Sequence, residues 1–91
     1  MKTLPQTKRK NGHDYVQVLR GPRAAIYRQC FRGMLVGYEV ILIRVQKGRS
    51  YKGNWLETRE RFPHDEAFGK WAWAFSTLER AMEKYIVLTN G

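Results

Sequence analysis

Apolar and polar positions repeat with two different periods along this chain, and the change of period divides it. Asp14 to Arg20 is short, β-branched and mixed in polarity, which fits a strand. Gly21-Pro22-Arg23 is turn chemistry, because Pro presets φ and Gly frees the backbone. Ala25 to Phe31 then reads as the return strand of a hairpin, and Arg32-Gly33 starts the next turn. Val36 to Lys47 carries Tyr38, Val40, Ile41, Leu42, Ile43 and Val45, a near-continuous apolar run that predicts a central strand partly covered on both faces. Gly48 to Asn54 reads as a loop. From Trp55 to Phe62, Trp55, Glu57, Arg59 and Arg61 alternate with Leu56, Thr58, Glu60 and Phe62, which predicts a fourth strand with one wet face. Pro63 to Glu66 is a turn. Lys70 to Phe75 alternates large and small residues, and this period of two favours a further strand.

The period then lengthens. Leu78, Ala81, Met82, Tyr85 and Leu88 follow the spacing of one buried helix face. Ser76 stands three residues before Glu79, the arrangement of a capping box, and Thr89-Asn90-Gly91 ends the helix. The expected class is α+β: an antiparallel sheet of four or five strands, a meander, followed by one C-terminal helix packed on one face. The other face is left to solvent or to a second copy. Residues 1–12 hold Pro5, the run Lys8-Arg9-Lys10 and the pair Asn11-Gly12, with almost nothing to bury. They are expected to form a flexible basic arm ahead of a single domain over residues 13–91.

Composition sharpens this picture. The 91 residues allow one domain, and a content of 43% apolar and 13% aromatic residues suffices for a core without staples. The single cysteine, Cys30, excludes an intramolecular disulfide and a thiolate zinc cluster. The first ten residues lack the apolar segment of a secretory signal, and the longest apolar run, Val40 to Ile43, is too short to span a bilayer. No membrane association and a cytoplasmic location are therefore expected.

The net charge of +9 is unevenly spread. Residues 1–23 carry six Lys/Arg against one Asp, whereas residues 71–91 carry two against two. A polyanion is thus expected to meet the N-terminal half. The candidate nucleic-acid-binding cations are Lys8, Arg9, Lys10, Arg20, Arg23, Arg28, Arg32, Arg44 and Lys47, with Arg49 and Lys52 beyond them. Such side chains neutralise phosphates and release counterions. Tyr15 and Tyr27, with Tyr51 and Trp55, adjoin these cations and are expected to form an exposed platform for base stacking. Trp71, Trp73 and Phe75 are expected to share one strand face as core beneath the helix. The bland alternative for the cations is a solvated, solubilising surface.

Catalytic signals are weak. His13-Asp14 and His64-Asp65-Glu66 place acids beside imidazoles, but neighbours on a strand point to opposite faces, and the second set sits in a turn. Cys30, between Arg28 and Arg32, reads better as a small hydrophobe than as a nucleophile. No enzyme activity, no cofactor and no metal site is expected.

The segment from Phe62 to Glu79 places a Phe-Pro turn, Phe68-Gly69, a short aromatic strand and a Thr-Leu-Glu helix start in that order. It resembles a pattern of small uncharacterised bacterial and mobile-element proteins, and this resemblance carries no functional residues across. The junction Trp73 to Ala81 is also similar to that of the plant-type DNA-binding domain, in which three antiparallel strands read the major groove. A looser likeness of layout is to the transcriptional-coactivator-like family, which dimerises and binds single-stranded DNA. The reading that joins these observations is a small basic nucleic-acid-binding module, for DNA or RNA, using the N-terminal sheet face and arm. The alternative is a non-enzymatic interaction or accessory module, a possible homodimer.

Overall fold

The computed structural model describes residues 1–90. In chain order it contains β1 (Thr7–Lys10), β2 (His13–Arg20), β3 (Ala24–Phe31), β4 (Met34–Leu42), β5 (Val45–Gln46), β6 (Arg49–Tyr51), β7 (Asn54–Leu56), β8 (Arg59–Glu60), a 3-10 turn (Asp65–Ala67), β9 (Ala72–Phe75) and α1 (Leu78–Asn90). The main sheet has five antiparallel strands in the order β1-β2-β3-β4-β9, with α1 packed against it. This is the expected α+β meander with one C-terminal helix.

Local chemistry sets the hairpins. Asn11-Gly12, Arg32-Gly33 and Lys52-Gly53 each place two consecutive residues at positive φ, near 50° and then 78°. That is the two-residue turn whose twist matches the flanking strands. It closes Lys10 on His13, Phe31 on Met34 and Tyr51 on Asn54.

The sheet buries both of its faces, against different covers. On one face Ile26 and Val40 lie under Ala81, with Leu19, Tyr38, Phe75, Met82, Tyr85 and Leu88 packed around them. On the other, Tyr15, Ala25, Tyr27, Ile41 and Ala72 lie under Leu4, Ala67 and Trp71, with Phe62 edge-on to Tyr15 and Tyr27 at ring separations of 5.3 and 5.2 Å. The second face is thus closed by this chain's own N-terminal segment and by residues 57–71, rather than by solvent or a second copy.

Several sequence expectations shift accordingly. Residues 1–12 are not a free arm. Thr7–Lys10 pairs with β2, Leu4 is 4% exposed, and the Lys2 backbone bonds residues 58 and 60 at 3.0 and 2.8 Å. One leucine and a partner 56 residues away order the segment, and no local pattern encodes that contact. The apolar run expected to end at Lys47 breaks after Leu42, and β5 leaves the main sheet to pair with β8. The segment Gly48 to Asn54, expected as a loop, forms β6 and the turn of a hairpin with β7. The strand expected from Trp55 to Phe62 divides into β7 and β8, neither of them in the main sheet.

Of Trp71, Trp73 and Phe75, only the last two share the helix-covered face. Phe75 packs under the helix, and Trp73 meets the Lys84 ammonium at 4.2 Å from its ring centroid. Trp71 precedes β9 and belongs to the opposite core, because its backbone turns back on the 3-10 segment through a hydrogen bond to Ala67 O of 2.9 Å. The helix cap moves by one position. The Thr77 hydroxyl, rather than Ser76, accepts the Arg80 N–H at 3.3 Å, so the expected Ser76–Glu79 box does not form.

Candidate nucleic-acid interface

Glu60 organises the region where the chain's charges gather. Its alternation partners Arg59 and Arg61 stay outside while its own side chain turns inward, leaving 4% of it exposed. There the carboxylate accepts two hydrogen bonds from the Arg20 guanidinium, at 2.5 and 2.7 Å, and a third from the Leu4 N–H at 2.8 Å. Hydrogen bonding from Arg20 holds this carboxyl below its ordinary range and lifts the guanidinium above its own. The contact ties the end of β2, the N-terminal segment and β8 together.

Between that segment, β1 and residues 59–64 runs an open groove of about 640 Å³. Lys2, Lys8, Arg9, Lys10, Arg59 and Arg61 line it, together with His64 and the apolar floor of Pro5, Phe62 and Pro63. Its one acidic lining residue is Glu60, which Arg20 neutralises. Lys10 is held in place by donating to Pro63 O at 2.7 Å. Arg9 makes a loose, exposed pair with Asp14 at 3.5 Å, a contact worth little in water.

A ribbon rises from the rim of this groove. Val45 pairs with Glu60 and Gln46 with Arg59, and then β6 pairs with β7 up to the Lys52-Gly53 turn. Gly48 N–H donates to the Thr58 hydroxyl at 2.8 Å and joins the two halves. Trp55 is 71% exposed and Tyr51 51%. Arg49 and Lys52 stand over the Tyr51 ring, 5.6 and 5.4 Å from its centroid.

The sequence-derived candidates therefore scatter. Lys8, Arg9 and Lys10 enter the groove, and Lys47 belongs to the base of the ribbon. Arg44 lies 5.8 Å from the Trp71 ring centroid, as Arg61 does at 5.7 Å. Arg20 is committed to Glu60. Arg23 lies in the β2–β3 turn, where its carbonyl accepts Ile43 N–H at 2.8 Å. Arg28 shares the helix-covered face of β3 with Ile26, two residues away, and Arg32 sits at the β3–β4 turn over Phe31.

Tyr15 and Tyr27 are not an exposed platform. They are 7% and 0% exposed, and the Tyr27 hydroxyl donates to Pro5 O and accepts from Gln17. Burial drives the Tyr15 phenol up to about 12 and raises that of Tyr27 as well. Adjacency to arginines in sequence misled here, because strand neighbours face opposite ways. Of the four aromatics expected as a platform, only Tyr51 and Trp55 are open to solvent.

Lys2, Arg59 and Arg61 join the groove without being expected from the sequence. Their signal was the wet face of the Trp55–Phe62 alternation, which puts Arg59 and Arg61 together; the proximity of Lys2 needs the tertiary bridge. Among the described residues, no group of three or more His, Cys, Asp and Glu gathers as a metal site, and no helix is long and apolar enough to cross a membrane. Comparison with protein-family models, with curated proteins and with solved structures finds no match to this chain.

Proposed function

We propose that this protein binds nucleic acid through the groove between its N-terminal segment, β1 and residues 59–64. The observation that carries this reading is the convergence of six Lys/Arg on one groove whose single acid is already neutralised from behind. Cations held this close repel one another unless a polyanion is present, since the groove's one carboxylate is committed to Arg20 and the Arg9–Asp14 pair is loose. The groove's Lys and Arg side chains would neutralise phosphates and release the counterions condensed on the nucleic acid, giving sequence-independent affinity. The working surface combines the N-terminal segment with β8, and Arg28, on the helix-covered face of β3, lies outside it.

Fluorescence anisotropy with a labelled oligothymidine and a duplex of equal length tests the proposal. Binding is expected to be micromolar or tighter at 50 mM salt and to weaken steeply by 200 mM. Lys8→Ala together with Arg59→Ala, both exposed, is expected to weaken binding about tenfold or more and to lower the log–log salt slope on the single strand by about 1.4. Arg28→Ala with Arg32→Ala is expected to change little. If the wild type binds neither oligomer at low salt, the reading fails. The contact surface to pursue would then be the apolar β3–β4 tip, where Phe31, Met34, Leu35 and Val36 are 39, 74, 56 and 50% exposed.

A further inference from the structure

The ribbon of β5 to β8 has features that its own folding does not require. A two-stranded hairpin projecting alone is marginally stable in water, and burying its aromatic side chains would help it. Here the aromatics point outward instead. Trp55 and Leu56 are 71% and 40% exposed and Tyr51 51%.

The orientation of Trp55 is nonetheless fixed. A Cβ on Gly48 would stand 2.8 Å from the Trp55 ring and 2.8 Å from Leu56 O, so the indole lies across a backbone that only glycine leaves bare. The edge of the ring thus lies close against Gly48 while most of the side chain stays open to solvent. Tyr51 is steadied by the cations of Arg49 and Lys52. Lys52 itself sits at φ 49°, a left-handed conformation that lysine adopts at some cost, and this sets its ammonium at the tip. Cross-strand pairing puts Trp55 opposite Ser50 and Tyr51 opposite Asn54, so the two rings belong to opposite faces of the ribbon.

Open aromatic planes interleaved with cations are what unpaired bases recognise, because every base has a π-face and every linkage a charge. From Gln46, beside Arg59 in the groove, to Tyr51 is five residues, at most about 16 Å of extended chain. A strand whose phosphates lie in the groove reaches the ribbon without leaving the surface.

We propose that the β6–β7 hairpin is a stacking finger that makes single-stranded nucleic acid the substrate class of the groove, with Trp55 and Tyr51 as the base-contacting residues. This rests on the groove reading above and adds the choice of polymer. Duplex DNA satisfies the cations and leaves both rings without partners, since its bases are stacked on one another.

The test compares a labelled oligothymidine with an abasic oligomer of the same length, which keeps every phosphate and lacks every base. The wild type is expected to prefer oligothymidine about tenfold or more. Tyr51→Ala with Trp55→Ala is expected to abolish that preference while leaving affinity for the abasic oligomer within about twofold. Both side chains are exposed, and unchanged thermal unfolding of the variant shows that the core is intact. Equal wild-type affinity for the two oligomers, or a preference that survives the substitutions, overturns the finger and leaves the groove standing. Absence of binding to both at low salt overturns the groove and the finger together.

Discussion

Glu60→Ala is expected to lower folding stability by about 3 kcal/mol, a large share of what a domain this size holds. The carboxylate is 4% exposed and Arg20 30%, so removing it strands a guanidinium with limited access to water. The Leu4 N–H loses its acceptor in the same step, and an unsatisfied buried donor costs about 1–3 kcal/mol on its own. Leu4 is part of the cover over Tyr15, Tyr27 and Ile41, so its release would open that face. The exposed fraction of Arg20 keeps the loss at the lower end of what breaking a buried pair costs. Glu60→Gln keeps an acceptor for Leu4 but loses the charge and is expected to fall between the two. Urea denaturation of the three proteins at pH 7 measures this. A loss for Glu60→Ala below about 1 kcal/mol would show that the N-terminal segment is not held as described.

Glu39 gives the second large effect, with opposite sign. It lies on β4 at 3% exposure, on the face that also carries Tyr27. Burial raises its carboxyl from 4.5 to about 7, against the pull of Lys10 and His13, which favour the charged form. Between those two values the folded protein holds a proton that the unfolded chain releases. Stability therefore falls as pH rises through that window and levels off above it. Glu39→Gln removes the penalty. The variant is expected to match the wild type near pH 4 and to exceed it by about 3 kcal/mol at pH 8. Parallel stability curves for the two proteins across this range would contradict a neutral buried acid.

The two carboxyls together shape the wild-type profile. The Glu60 contribution is present above the ordinary carboxylate range and lost as pH falls through its depressed value. The Glu39 contribution declines as pH rises toward about 7. The contribution of these two carboxyls is thus greatest near the ordinary carboxylate value of 4.5 and declines on either side.

What the sequence made legible follows from how local each signal was. The helix face from Ala81 to Leu88, the strands around Val16, Ile26 and Val40, and the sheet-plus-helix class all come from short-range periodicity, and the structure has them. The ribbon was missed as a hairpin because β6 and β7 are only three residues each, and Lys52-Gly53 is a less familiar form of the turn usually marked by Asn-Gly. The order of residues 1–12 is not legible locally, because it depends on Leu4 and Glu60, 56 residues apart. The cations were legible as a class and not as a place. Charge counting pointed to the first half, whereas Lys2, Arg59 and Arg61 meet only through the bridge between the two halves. Tyr15 and Tyr27 show the converse: they lie in the basic half of the sequence, Tyr27 directly beside Arg28, and are core in the fold.

The most direct test of the groove is amide NMR mapping of the intact protein during titration with a short oligothymidine at low salt. The account predicts that the amides of Lys2, Lys8 to Lys10 and Arg59 to Arg61 shift first and together, followed by those of Tyr51 to Trp55. Arg28, Arg32 and the exposed face of α1 should stay in place. Shifts centred on the β3–β4 tip or on α1, with the groove unmoved, would contradict it.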